Sequence, residues 1–270
     1  MKKINRIKTV AFVLLCLPFC GAWTSVSAAA EQSDRYVGGE LISTYASNET
    51  ISYVSKQVVE DISTANGTPK YRAIDSIQNG CGAIVGAIIV GFYDKYYENL
   101  IPNWASYYST GTYKGQDKTY VYSLIQDLYN LMQTNIVAPG VSQDEFKNGL
   151  KSYVVNHGYN IQYTSLGAGN NFNYGTFKTA VNNNQPTVLF VQSSNIYLLD
   201  ERKNEDLITS GNISGNHVMV AYGYYEVKYT LSNRTRIDKY LRVATGLSTD
   251  PTAFYKIGTY VDATYQVTIN

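Results

Sequence analysis

Residues 78–94 read Gln78-Asn79-Gly80-Cys81-Gly82-Ala83-Ile84-Val85-Gly86-Ala87-Ile88-Ile89-Val90-Gly91-Phe92-Tyr93-Asp94. Asn79-Gly80 is a turn signal, and no charge follows it until Asp94. Periodicity does not separate a buried helix from a buried strand in so apolar a run. The β-branched residues favour a strand. The length and the small residues Ala83, Gly86, Ala87 and Gly91 favour a helix packed closely on all sides. The polar continuation Asp94-Lys95-Tyr96-Tyr97-Glu98 suits the exposed end of that helix. The expectation is a central buried helix with Cys81 at its start.

Downstream, Val121, Leu124, Ile125, Leu128, Leu131 and Met132 fall at helical spacing and predict an amphipathic helix over 120–133. Ser142-Gln143-Asp144-Glu145 is a capping box that opens another, with Phe146, Leu150 and Val154 on one face and Gly158 as its left-handed stop. Residues 174–181 predict a short helix. After Pro186 the pattern changes to strands: 187–191, then a charge-rich loop over 195–211, then 217–224, 240–244 after a turn near Ser232-Asn233-Arg234, and one or two more within 254–268, such as Thr259-Tyr260-Val261. Helices first and antiparallel strands later is α+β organisation rather than alternating βαβ.

The N-terminus reads as a bacterial secretory signal. Lys2, Lys3, Arg6 and Lys8 precede an apolar run from Thr9 to Trp23, and Val26-Ser27-Ala28 offers small residues for cleavage. The run is short for a membrane span, and the bulky Phe19 argues against a lipid anchor at Cys20. Residues 1–30 are therefore set aside, 31–70 form a pro-segment, a partly ordered arm, or a first strand and short helix packed on the main domain, and 71–270 form the main domain. The Gly38-Gly39 pair in the arm is read as a turn, with self-processing as the minority alternative. Loss of the signal takes the net charge from +1 to −3. No basic run follows it, so nucleic-acid binding has no electrostatic footprint. The 26 tyrosines fit half-buried strands and wet surfaces. A secreted monomer acting on peptide or protein, without membrane anchor, is the expectation.

Cys16 and Cys20 also leave with the signal, so Cys81 is the one cysteine of the mature chain. It is an inert buried thiol, an intermolecular partner or a nucleophile. Two histidines remain, His157 and His217. Thiol hydrolysis needs a thiolate and a group that accepts and returns a proton, and imidazole does both near neutral pH. The start of a helix offers free N–H groups that lower a thiol pKa and hold an oxyanion. His217 opens a strand behind Gly211-Asn212-Ile213-Ser214-Gly215-Asn216 and can face a cleft. His157, just before Gly158, fits a structural role at a helix end.

Gln78-Asn79-Gly80-Cys81-Gly82, with its small and apolar helix ending in Gly91-Phe92-Tyr93-Asp94, resembles the cysteine segment of C39-like peptidases in the papain-like clan. Gln185-Pro186-Thr187-Val188-Leu189 and then Gly215-Asn216-His217-Val218-Met219-Val220-Ala221-Tyr222-Gly223-Tyr224 resemble that family's strand and histidine segment, in the same order. The resemblance spans about residues 70–250 and implies a papain-like α+β fold, with a helical N-terminal part carrying the nucleophile at the start of a central helix and packed on a C-terminal antiparallel sheet. It implies Cys81 as nucleophile, His217 as general base and acid, and Gln78 as oxyanion donor, without metal or cofactor. In the family the glutamine often lies further upstream, which leaves Gln78 open as an ordinary turn residue. The family's Asp or Asn after the histidine strand is missing: the matching stretch is Val243-Ala244-Thr245-Gly246. Either Thr245 or Asp250 orients the imidazole, or the site is a Cys–His dyad, or turnover is lost. Three functions follow: a secreted cysteine peptidase, a cell-wall amidase or endopeptidase, and a non-catalytic papain-like binding protein.

Overall fold

The computed structural model describes residues 40–42, 53–65, 67–192, 194–200, 206–248, 250–258 and 261–270. The signal segment 1–30 and Gly38-Gly39 lie outside the described residues. In chain order the elements are β1 (Glu40–Ile42), β2 (Ser55–Ser63), α1 (Cys81–Asp94), α2 (Tyr120–Leu131), α3 (Gln143–Asn156), β3 (Ile161–Gly167), α4 (Tyr174–Asn182), β4 (Thr187–Val191), β5 (Ser194–Asp200), β6 (Asp206–Ser214), β7 (His217–Thr230), β8 (Thr235–Ala244), β9 (Thr252–Lys256) and β10 (Val261–Ile269). The class is α+β, with one large antiparallel sheet ordered β1-β6-β5-β9-β8-β7-β4-β10-β3.

β7 is the axis of that sheet. One of its edges pairs with β8 from Val220 to Thr230. Its other edge is shared: β4 takes His217 to Ala221, and β2 takes Gly223 to Thr230. The arm therefore supplies two strands to the same sheet, β2 on β7 and β1 on β6.

Strand β4 is apolar throughout because both its faces are covered, the condition under which a strand loses its polar alternation. Val188 and Phe190 join Val218 and Val220 of β7 and Val267 of β10 under α1, α2 and α3. Leu189 and Val191 join Met219 and Ala221 on the opposite face, where Phe177 and Val181 of α4 close the layer. The tyrosines divide accordingly. Tyr225, Tyr229, Tyr240 and Tyr255 are buried in the sheet, whereas Tyr96 and Tyr108 are exposed.

Helix α1 is buried along its whole length. Small residues make this possible: a Cβ on Gly82 would lie 2.4 Å from Val141 Cγ1, and one on Gly86 2.9 Å from Met132 Cε. The far end of the helix differs from expectation. Asp94 is not exposed but 1% accessible. Its carboxylate accepts the N–H of Ile101 at 2.9 Å and of Ser106 at 3.0 Å, turning the chain back against the helix. Burial pushes this carboxyl up to about 6 despite those donors.

Helix α3 carries the expected capping box, with Ser142 Oγ accepting from Glu145 N at 3.2 Å and Glu145 Oε2 from Ser142 N at 2.8 Å. The charge-rich loop expected over 195–211 is instead the hairpin of β5 and β6. Its charges concentrate in the connection, while Ile196 and Ile213 bury into the α4-side core. That long-range burial is invisible to local composition.

Gly149 of α3 touches the end of α2 so closely that a Cβ would lie 2.7 Å from Met132 Cα. Backbone cannot swing aside as a side chain does. Gly149→Ala is expected to destabilise the protein by about 1–3 kcal/mol, as overpacking does, read as a shifted urea midpoint. An unchanged midpoint would contradict this packing.

Candidate active site

Cys81 is the first residue of α1. Asn79 ahead of it sits at φ 53, a left-handed conformation that Asn tolerates better than most residues. Gly80 is the N-cap, no side chain caps the helix, and its first turn holds no acid. The free N–H groups of that turn are thus left to the sulfur. Those of Gly82 and Cys81 itself, with that of Val218 in β7, all favour the Cys81 thiolate. Cys81 and Val218, the residue after His217, belong to the same buried cluster.

Burial nevertheless decides the charge. Cys81 is 7% exposed, and the thiol is pushed up to about 12 because desolvation outweighs the three N–H groups. This corrects the expectation that the helix start alone would lower the thiol pKa.

His217 is fully buried. Its Nε2 lies 2.8 Å from the main-chain carbonyl of Thr245. A carbonyl only accepts, so Nε2 carries the proton and Nδ1 holds the lone pair. Among the described residues Nδ1 has no hydrogen-bond partner. Burial lowers the ring to about 4, and the Thr245 carbonyl offsets only part of that. The resting site therefore holds a neutral thiol and a neutral imidazole.

The two residues weighed as imidazole orienters behave differently from expectation. Thr245 meets the ring through its carbonyl, not its hydroxyl. The hydroxyl donates to the Asp250 carbonyl and accepts the Leu247 N–H at 3.1 Å. Asp250 takes part through that main-chain carbonyl. The Gln78 side chain is on an exposed residue, and its recorded contact is again main-chain: its carbonyl accepts Asn135 Nδ2 at 3.1 Å. His157 stays apart, stacked on Tyr153 at 4.2 Å with Nδ1 bonded to the Tyr153 carbonyl at 2.7 Å.

Sequence reasoning named Thr245 without singling out its carbonyl, and missed Val218 and Asn135. Val218 contributes an N–H and Thr245 a carbonyl, and main-chain groups leave no trace in residue identity. Asn135 lies 56 positions from Asn79 and belongs to no motif. Comparisons with protein-family models, curated proteins and solved structures find no match to this chain.

Two consequences are measurable. Iodoacetamide should label Cys81 at pH 8 at least about tenfold more slowly in the folded protein than in urea, because only the thiolate reacts; equal rates would contradict the burial. The His217 ring has a folded pKa below its unfolded value near 6.5. Its contribution to stability is complete above pH 6.5 and is lost as pH falls toward about 4. His217→Gln, which keeps a donor for the Thr245 carbonyl, should flatten that part of the stability profile in urea titrations; an unaltered slope would contradict the assignment.

Proposed function

We propose that this chain is a secreted cysteine peptidase of the papain-like, C39-like kind, with Cys81 as nucleophile and His217 as general base and acid. One observation carries the reading. A histidine at the mouth of the central strand spends its Nε2–H on a carbonyl and keeps a buried, unpartnered Nδ1 lone pair. The next residue, Val218, shares a buried cluster with Cys81. A buried acceptor without a partner costs about 1–3 kcal/mol, and a catalytic role is one explanation for such a group.

In this mechanism Nδ1 takes the Cys81 proton as the sulfur attacks a peptide carbonyl. Main-chain N–H groups of the first turn of α1 receive the developing oxyanion. The imidazolium, steadied by the Thr245 carbonyl, returns its proton to the leaving amine. Water, activated by the same nitrogen, then releases the acyl group. Because thiol and imidazole are both neutral at rest, proton transfer accompanies attack and does not precede it. The helix start supports this role for main-chain donors better than it supports the exposed Gln78.

A non-catalytic peptide-binding protein is the second reading. The neutral resting pair favours it, as does the lack of a carboxylate or side-chain amide behind His217.

The test is turnover of a casein-type substrate and of purified peptidoglycan. The peptidase reading expects casein cleavage that falls at least about 10³-fold in Cys81→Ala and about 10²- to 10⁴-fold in His217→Ala, the scale of general acid–base catalysis. Cleavage that survives Cys81→Ala would end it, and peptide binding without cleavage would favour the second reading.

A further inference from the structure

The turn that delivers Cys81 is held from outside by one side chain. Asn135 lies in the connection between α2 and α3, itself at φ 64. Its Oδ1 accepts Asn79 Nδ2 at 3.0 Å and Gly140 N at 2.7 Å. Its Nδ2 donates to the Gln78 carbonyl at 3.1 Å and to Tyr129 Oη at 2.6 Å. An amide offers two donor hydrogens and two acceptor lone pairs, and here all four are used. Two bonds go to the residues just before the helix, one closes the 135–140 loop, and one ties that loop to α2. The neighbouring Val141 packs against Gly82 on the other side of the nucleophile.

The direction of the Cys81 and Gly82 N–H groups follows from the dihedrals of Gln78, Asn79 and Gly80. Asn79 occupies a left-handed conformation that persists where its surroundings enforce it. Asn135 enforces it through the Asn79 side chain and the Gln78 carbonyl together. We propose that Asn135 is a positioning residue of this site: it fixes the turn that aims the Cys81 sulfur and the adjoining N–H groups, and so sets both the sealing of the thiol and the geometry of attack. This rests on Cys81 being the nucleophile. Side-chain chemistry supports the assignment to Asn in particular, since Asp lacks the two donors and Leu lacks all four groups.

The test uses the full chain and two kinds of measurement. Asn135→Ala and Asn79→Gly break the clamp from opposite sides, and glycine keeps the left-handed conformation free of strain. Tyr129→Phe removes one Asn135 partner but leaves the turn's bonds intact. Iodoacetamide labelling of Cys81 between pH 6 and 10 is followed by mass spectrometry, with casein kcat and KM beside it. With the clamp broken, labelling at pH 7 should rise at least about tenfold, its pH midpoint moving toward that of a free thiol near 8.5. Meanwhile kcat should fall about tenfold or more with KM little changed, since small misplacements are expensive in rate. Tyr129→Phe should change neither. A purely structural role would lower the melting temperature in all three variants without this opposite movement of labelling and turnover. The proposal fails if labelling in Asn79→Gly follows the wild-type pH profile, or if Tyr129→Phe reproduces the shift. Asn79→Gly decides the matter should Asn135→Ala not fold. If wild type shows no turnover, the peptidase reading fails while the labelling profiles still judge the clamp.

Discussion

The packing of α1 against β7 is the constraint on which the rest depends. A helix without charge from Cys81 to Tyr93 has no face to offer water, so it must be enclosed on all sides. α2, α3 and the sheet, with β7 among its strands, share one buried cluster with it. β7 can be central because β4 and β2 divide one edge while β8 holds the other. Cys81 opens the buried helix and His217 opens the doubly paired strand, so one packing contact carries both residues.

The same enclosure sets the electrostatics. Three N–H groups around the sulfur favour its anion, yet taking a thiolate out of water costs more than they return. On the histidine side, one carbonyl contact is weaker than the carboxylate that often stands behind a catalytic imidazole, so burial keeps the ring neutral. Both groups are held in the forms that water exclusion favours. The Thr245 carbonyl contributes orientation and tautomer more than charge.

Much of the fold was legible because it is written locally. The box Ser142 to Glu145 specifies a helix start by two reciprocal bonds, and both are present. The apolar run of β4 announces a strand covered on both faces. The misjudged parts were non-local. Residues 195–211 carry charges that resemble a loop, yet Ile196 and Ile213 draw the flanks into a hairpin. Asp94 resembles a surface acid, yet two backbone N–H groups across a turn bury it. For the arm, the sequence left a pro-segment and a strand packed on the domain both open; β2 is such a strand, polar because much of its surface is in water.

The sequence by itself determined the α+β class, the buried helix headed by the only cysteine after position 20, and the histidine that opens an apolar strand. Each of these is a statement about residue type and spacing. Only the tertiary structure decided which atoms face one another: the Thr245 carbonyl on Nε2 and Asn135 locked onto the turn. These are main-chain groups or distant side chains. Every residue carries the same main-chain groups, so their placement is set by packing and register, not by the residue's identity.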